Sequence, residues 1–201
     1  MDETVTRAMQ RWPDVPKVFG WLRLDRRGRW RVKMPHGGFE PITNAGVVAF
    51  IGRNYARDDE GRWFFQNGPQ RVFVTLEATP WVYRLGDDGT SVETHTGLTP
   101  ANLVGAWLTD DGGLVLATEI GPGVLHDRDL AAVENALVTR DGKRIGEHAL
   151  ADLFDSRPGA ETTFLALHGA CVPLQRIAVT DLARRFGFNP DPRPAPGEPD
   201  C

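Results

Sequence analysis

FGWLRLDRRGRWRVKMPHGGFEPITNAGVVAFIGRNYA, residues 19–56, and VGAWLTDDGGLVLATEIGPGVLHDRDLAAVENALV, residues 104–138, carry the same order of features, and that repetition decides the fold. In the first copy, large apolar residues such as Trp21, Trp30 and Val32 alternate with arginines around a polar DRRG turn. This is the period-two pattern of a β-hairpin with one buried and one wet face. A short FEPI step follows, and Thr43 or Asn44 then stands where a helix N-cap is needed, ahead of Val47, Phe50, Ile51 and Tyr55 at helical spacing. Asp110 and Gly113 lie 85 positions after Asp25 and Gly28, while Leu130, Val133 and Val138 lie 83 after Val47, Phe50 and Tyr55. An offset so nearly constant through hairpin and helix marks a duplication.

Working outward, GRWFFQNGPQRVFVTLE at 61–77 reads as two strands joined at Asn67 and Gly68, a pair that takes positive φ readily. Its outgoing run places Val72, Val74 and Leu76 on one face and Arg71, Phe73, Thr75 and Glu77 on the other. WVYRL at 81–85 is a further strand. TFLALHGACVPLQRIAVTDLARRFGF, from 163, offers strand, His-Gly turn, strand and helix, as a partial third copy. GEHALADLF at 146–154 suggests a short helix. These elements predict an α+β protein of two tandem β-rich repeats, each an antiparallel sheet of hairpins packed against one main helix. The expected divisions are an N-terminal extension over 1–14, a first repeat over 15–90, a second over 91–188, and a disordered Pro-rich tail over 189–201, with the boundary in GDDGTSVETHTGLTP.

With 201 residues, 41% of them hydrophobic and 25% charged, the chain has the apolar content for one large domain or two small ones. A formal net charge of -4 argues against general attraction to nucleic acid or an anionic membrane. The acidic start MDETVTRAMQRWPDVP lacks the basic segment and apolar run of a targeting signal, so a cytoplasmic location is expected. Of two cysteines, Cys201 sits in the Pro-rich tail, where no fixed geometry for a bridge to Cys171 is expected.

The block NYARDDEGRWFFQNGPQRVFVTLEATPWVYRL, with GPGVLHDRD and the closing RFGF, resembles an uncharacterised proteobacterial family of unknown function over roughly residues 12–190. The order of elements is also similar to a second family of unknown function, in which a W-x-x-x-G-x-P-I step precedes the helix and V-x-V-E-x-x-P-F/W ends the sheet. Here those steps are FEPI at 39–42 and VTLEATPW at 74–81, with MPHGG inserted before the first. The resemblance implies a two-domain α+β protein of repeated motifs, for which ligand sensing or signal transduction has only been proposed.

Phosphate-cradling glycine loops, C-x-x-C, H-E-x-x-H and G-x-S-x-G are all absent from the sequence. His168 and Cys171 are three apart, as a thiolate–imidazole pair requires, but Leu165, Leu167 and Val172 around them favour a buried structural thiol beside a turn histidine. In HDRD, Asp127 as N-cap and Asp129 in the first helical turn fit better than metal ligands. His36, His95 and His148 show no ligand spacing. The basic hairpin (Arg23, Arg26, Arg27, Arg29, Arg31, Lys33) reads as a solvated face, with the tryptophans pointing inward.

The expected ligand-binding residues are Arg53, Asn54 and Tyr55 at the helix end, then Trp63, Phe65, Gln66, Asn67 and Gln70, with Glu77 and Trp81 beyond. Polar amides and aromatics converge there, whereas the expected counterpart in the second repeat, TRDGKRIGEHAL, is plain. The predicted function is a non-catalytic regulatory or sensory module binding a small molecule or a protein, with no cofactor, metal or catalytic residue assigned. Two other readings stay open: a hydrolase or transferase using Glu77 or another sheet carboxylate, and an assembly protein using sheet edges or the basic hairpin.

Overall fold

The computed structural model describes residues 1–12, 15–145 and 163–196; the short helix expected at 146–154 lies outside the described residues. The chain divides into two units, the first comprising Met1–Pro80 and the chain from Ala183 onward, the second Trp81–Leu182.

In the first unit a helix α1 (Glu3–Arg11) precedes two three-stranded meanders. The first meander is β1 (Val18–Leu24), β2 (Trp30–Lys33) and β3 (Phe39–Pro41). Helix α2 (Ala45–Arg53) leads to the second, β4 (Tyr55–Arg57), β5 (Trp63–Asn67) and β6 (Gln70–Leu76). The sheet order is β3-β2-β1-β6-β5-β4. Tight turns make each meander antiparallel, but β1 and β6, joined through the helix, pair parallel, with Leu22 beside Val74 and Leu24 beside Leu76. The sheet is therefore mixed, where hairpin turns alone predict an antiparallel one.

Asn44 caps α2, its side chain accepting the Val47 N–H at 3.1 Å. Ile51 points into the core, Val47 is exposed, and Tyr55 already belongs to the next strand. The face toward α2 carries Leu22, Leu24, Trp30, Tyr55, Trp63, Val74 and Leu76, all buried. Trp21 falls on the opposite face with the arginines and is 42% exposed. The register explains why: Leu22 and Leu24 face Val74 and Leu76, so their strand neighbours Trp21 and Arg23 must point the other way. A bulge between Val18 and Leu22 lies at Gly20, whose φ of 69° suits glycine.

The segment after Gly187 docks on this unit. Asn189 N–H donates to the Gly61 carbonyl at 2.9 Å, Leu76 N–H to the Pro190 carbonyl at 2.8 Å, and Pro192 is buried. Gly61 is required here: at φ 75°, a Cβ would stand 2.5 Å from the Gly187 carbonyl oxygen. The start of the expected disordered tail is thus a structural strap. Likewise the expected N-terminal extension forms α1, with Val5 buried.

The second unit opens with β7 (Trp81–Leu85) and β8 (Val92–Thr94). A meander follows, β9 (Leu103–Thr109), β10 (Leu114–Thr118) and β11 (Gly121–Leu125), then a helical turn α3 (Leu130–Val133), then β12 (Leu137–Val138), β13 (Phe164–Leu167) and β14 (Ala170–Ile177). The order is β12-β13-β14-β9-β10-β11-β7-β8, and β14 pairs parallel to β9 as β6 does to β1. The duplication is therefore real, with β7 and β8 added at one edge. The stretch read as a partial third copy supplies β13 and β14, the counterparts of β5 and β6; TRDGKRIGEHAL is not that counterpart. The division falls at Pro80, and the GDDGTSVETHTGLTP stretch lies inside the second unit. Tyr83 is fully buried, its hydroxyl 2.7 Å from Thr118 Oγ1 and donating to the Gly121 carbonyl.

Candidate functional site

The α2 end holds the N-terminus. Asn54, fully buried, accepts the Asp2 N–H on Oδ1 at 2.8 Å and donates from Nδ2 to Asp2 Oδ2 and the Phe50 carbonyl. Its own carbonyl accepts the Gln66 N–H. Arg53 is exposed and ion-pairs with Asp2 at 3.3 Å. The Asn54 hydrogen bond, with Arg53 beside it, holds the Asp2 carboxyl below its ordinary value. These two residues fasten α1 to the sheet.

Tyr55 and Trp63 are core. Tyr55 packs edge-on to Trp30, centroids 5.0 Å apart, and against Trp63 at 4.8 Å, while its hydroxyl donates to the Pro80 carbonyl at 3.0 Å. Burial pushes the Tyr55 phenol well up. Phe65 meets Phe50 of α2 edge-on at 5.4 Å. Asn67 is exposed at the hairpin turn, opposite Gln70, whose Nε2 reaches the Pro16 carbonyl at 3.5 Å. Glu77 is exposed, 3.6 Å from Arg23. Trp81 lies in the second unit, its indole N–H donating to the Ile120 carbonyl.

Gln66 is different. It lines a cleft of about 330 Å³ walled by Met9 and Trp12 at the end of α1, by Val15 and Lys17 ahead of β1, and by Pro69 and Arg71 across the hairpin. Its side chain is 1% exposed; Nε2 donates to the Gly68 carbonyl at 3.0 Å, and Oε1 has no hydrogen-bond partner among the described residues. An unsatisfied buried amide oxygen typically costs about 1 to 3 kcal/mol, so a ligand able to donate to it would recover that. Gln66 pairs directly across from Arg71, whose guanidinium sits 4.0 Å above the Phe64 ring. Beneath lie Phe64, Phe73 and Phe19, a buried aromatic cluster in which Phe19 and Phe73 stack at 4.6 Å. Apolar walls, two cations and one buried amide make a binding surface of ordinary ligand-site chemistry. Sequence reasoning found Gln66 and its neighbour Gln70 but missed Met9, Trp12, Val15, Lys17, Pro69 and Arg71, because α1 was read as an extension rather than as a wall.

Other constellations resolve as structural. His168 has φ 54°; its Nδ1 accepts the Val92 N–H and its Nε2 lies 2.7 Å from the Pro100 carbonyl, so both ring nitrogens are engaged in holding a turn. Cys171 is exposed on β14 rather than buried, because its strand position points away from the core residues Leu165 and Val172. In HDRD, His126 rather than Asp127 is the cap, accepting the Arg128 N–H on Nδ1 at 3.2 Å, and Asp129 accepts from Arg84 Nε and the Leu85 N–H. The basic hairpin is internally paired: Arg29 to Asp25 at 2.7 Å, Arg31 to Asp25 at 3.9 Å, and Arg23 stacked over Phe39. Among the described residues no group of three or more His, Cys, Asp or Glu is placed to hold a metal ion. Also among them, no helix is long and apolar enough to cross a membrane.

Fold and cleft together define a two-unit α+β protein of internal repeats with a candidate ligand cleft in its first unit. The chain belongs to the family described as "Protein of unknown function (DUF2946)", whose model matches residues 1–193. It is similar in structure to a DUF1285 family protein from Silicibacter pomeroyi DSS-3, with a TM-score of 0.50 and 15% identity over 87% of this chain and 96% of that one, a likeness of fold. A DUF1285 family protein from Shewanella baltica OS155 matches 53% of this chain and 84% of its own, at 21% identity and a TM-score of 0.37. No curated protein matches the sequence.

Proposed function

We propose that the protein is a cytoplasmic, non-catalytic sensory or regulatory module that binds a small molecule in the cleft between α1 and the β5–β6 hairpin. The observation carrying this reading is Gln66 Oε1, a buried acceptor with no donor among the described residues, in the wall of a cleft that also presents Lys17, Arg71 and Trp12. Both ring nitrogens of His168 are taken up in holding its turn, which supports binding over nucleophilic catalysis by a His168–Cys171 pair. Native mass spectrometry of the full chain, purified gently from its own host and compared before and after denaturation, tests it. The expected result is a released small-molecule mass that is lost from a Trp12→Ala, Arg71→Met double variant with an unchanged melting temperature. A ligand retained by that variant would sink the reading, as would a chain that carries none and binds none in a metabolite screen.

A further inference from the structure

Resting on that reading, we infer that the cleft takes a small monoanion with an apolar, ring-sized body and an N–H or O–H donor one or two bonds from the anionic group. Each part follows from a different wall. Arg71 and Lys17 both line the cleft. A guanidinium gives planar, forked donation to a carboxylate, which a neutral ligand cannot use. Arg71 is held by its stacking on Phe64 and paired across the strands from Gln66, so the anion site and the buried acceptor are neighbours on one sheet face.

Gln66 fixes the second requirement. The amide cannot turn over to offer its N–H groups to the ligand without breaking the Nε2 bond to the Gly68 carbonyl, so the oxygen is the group left for a ligand, and it demands a donor. Directly opposed register keeps this acceptor beside the arginine, which sets the donor close to the anion within the ligand itself. Trp12, half exposed, with Met9, Val15 and Pro69 supplies the apolar side. A cleft of about 330 Å³ is at the small end of ligand sites, so one ring and a short chain fill it. The second unit does not repeat this chemistry: Ala166 and Cys171 stand opposed where the first has Gln66 and Arg71.

Three probes on the full chain separate the requirements by isothermal titration calorimetry. N-acetylphenylalanine has carboxylate, donor and ring; N-acetylphenylalaninamide lacks the charge; hydrocinnamate lacks the donor. The expected result is that the first binds about tenfold or more tightly than either of the others. Arg71→Met should erase the preference for acid over amide, and Gln66→Leu the preference for N-acetylphenylalanine over hydrocinnamate, each leaving the other preference in place. Thermal unfolding of both variants controls for folding, and Gln66→Glu, which keeps the shape but adds a like charge, should exclude the acid on its own. Equal binding of acid and amide, preferences that survive the substitutions, or no binding by any probe would overturn the inference. A neutral native ligand released from the wild type and lost from the cleft variants would do so while leaving the proposed function standing; a chain with no ligand of any kind removes both.

Discussion

Hairpin β5–β6 and its counterpart β13–β14 have the same connection and different contents. Each closes on a two-residue turn, at Gly68–Pro69 and at His168–Gly169, and each outgoing strand lies parallel to the first strand of its unit. On the face away from the α2 core, the first hairpin presents Phe64, Gln66, Arg71 and Phe73, with the aromatics and the amide buried. Matching register in the second gives Phe164, Ala166, Cys171 and Pro173, of which the last three are exposed. Strand pairing constrains only one face of each copy, the face that fills the core, and leaves the other open to diverge. In this chain the chemistry has gathered on the free face of one copy.

The largest expected effect tests whether the first unit depends on aromatic packing. Trp63→Ala removes one of the two ring partners of Tyr55 and should destabilise that unit by about 4 kcal/mol. Hydrogen exchange should then speed across β4–β6; exchange unchanged there would mean the aromatics are not the core they form in the structure. Asn54→Ala should cost about 3 kcal/mol, since it strips Asp2 and the Phe50 carbonyl of the part-buried hydrogen bonds made by a fully buried amide. Its signature is local: amides of Glu3–Arg11 should exchange first, and the cleft they wall should lose its ligand. Full retention of the ligand would show that α1 is not a wall.

The two turns sharpen the comparison further. Gly68 and His168 both have positive φ, 57° and 54°, yet only glycine adopts it without steric penalty. The histidine is held there by its Nδ1 contact to Val92, its Nε2 contact to Pro100 and its N–H bond to the Thr90 carbonyl. His168→Ala should therefore cost about 2 kcal/mol, while Gly68→Ala, with open space around its Cβ position, should cost about 1. A cost near zero for His168→Ala, measured by urea unfolding, would show that the His168 contacts contribute nothing.

Local elements and the duplication were legible because each leaves its mark in a short window: the Asn44 cap, the alternation of β6, the repeated turn-helix order. The parallel pairing of β1 with β6 was not, since nothing in a hairpin sequence says which strand it meets after a helix. Trp21 misled because FGWLRL alternates on both phases, and only the partners Val74 and Leu76 choose between them. At the cleft, Gln66 stood out in sequence as an amide amid aromatics, whereas Met9, Lys17 and Arg71 are ordinary residues until the chain folds. The tail's composition suggested disorder, but the Pro190 carbonyl meets an otherwise open strand N–H at Leu76, a partner invisible from the tail alone.

A pH titration probes a difference between the helical segments of the two copies. Asn44 caps the first and cannot titrate; His126 caps the second, and burial, with Arg84 as a lesser cause, pulls its pKa below 6.5. Because the unfolded chain then binds the proton more readily than the folded one, stability is fully present above about pH 6.5 and declines as pH falls below it. His126→Asn should flatten that slope in β11–α3 exchange and leave α2 unchanged; a slope that persists would assign it to another group.

The smallest expected effect falls at the pair of positions where the copies differ most. Arg71 stacks on Phe64 and borders the cleft, while Cys171 at the matching place is an exposed free thiol. Cys171→Ser should thus change the unfolding free energy by less than about 0.5 kcal/mol and leave any bound ligand in place. Arg71→Met in the same background should release it. If the serine substitution instead emptied the cleft, ligand binding would not belong to the first hairpin alone, and the reading of a site on one copy and bare strand on the other would fail.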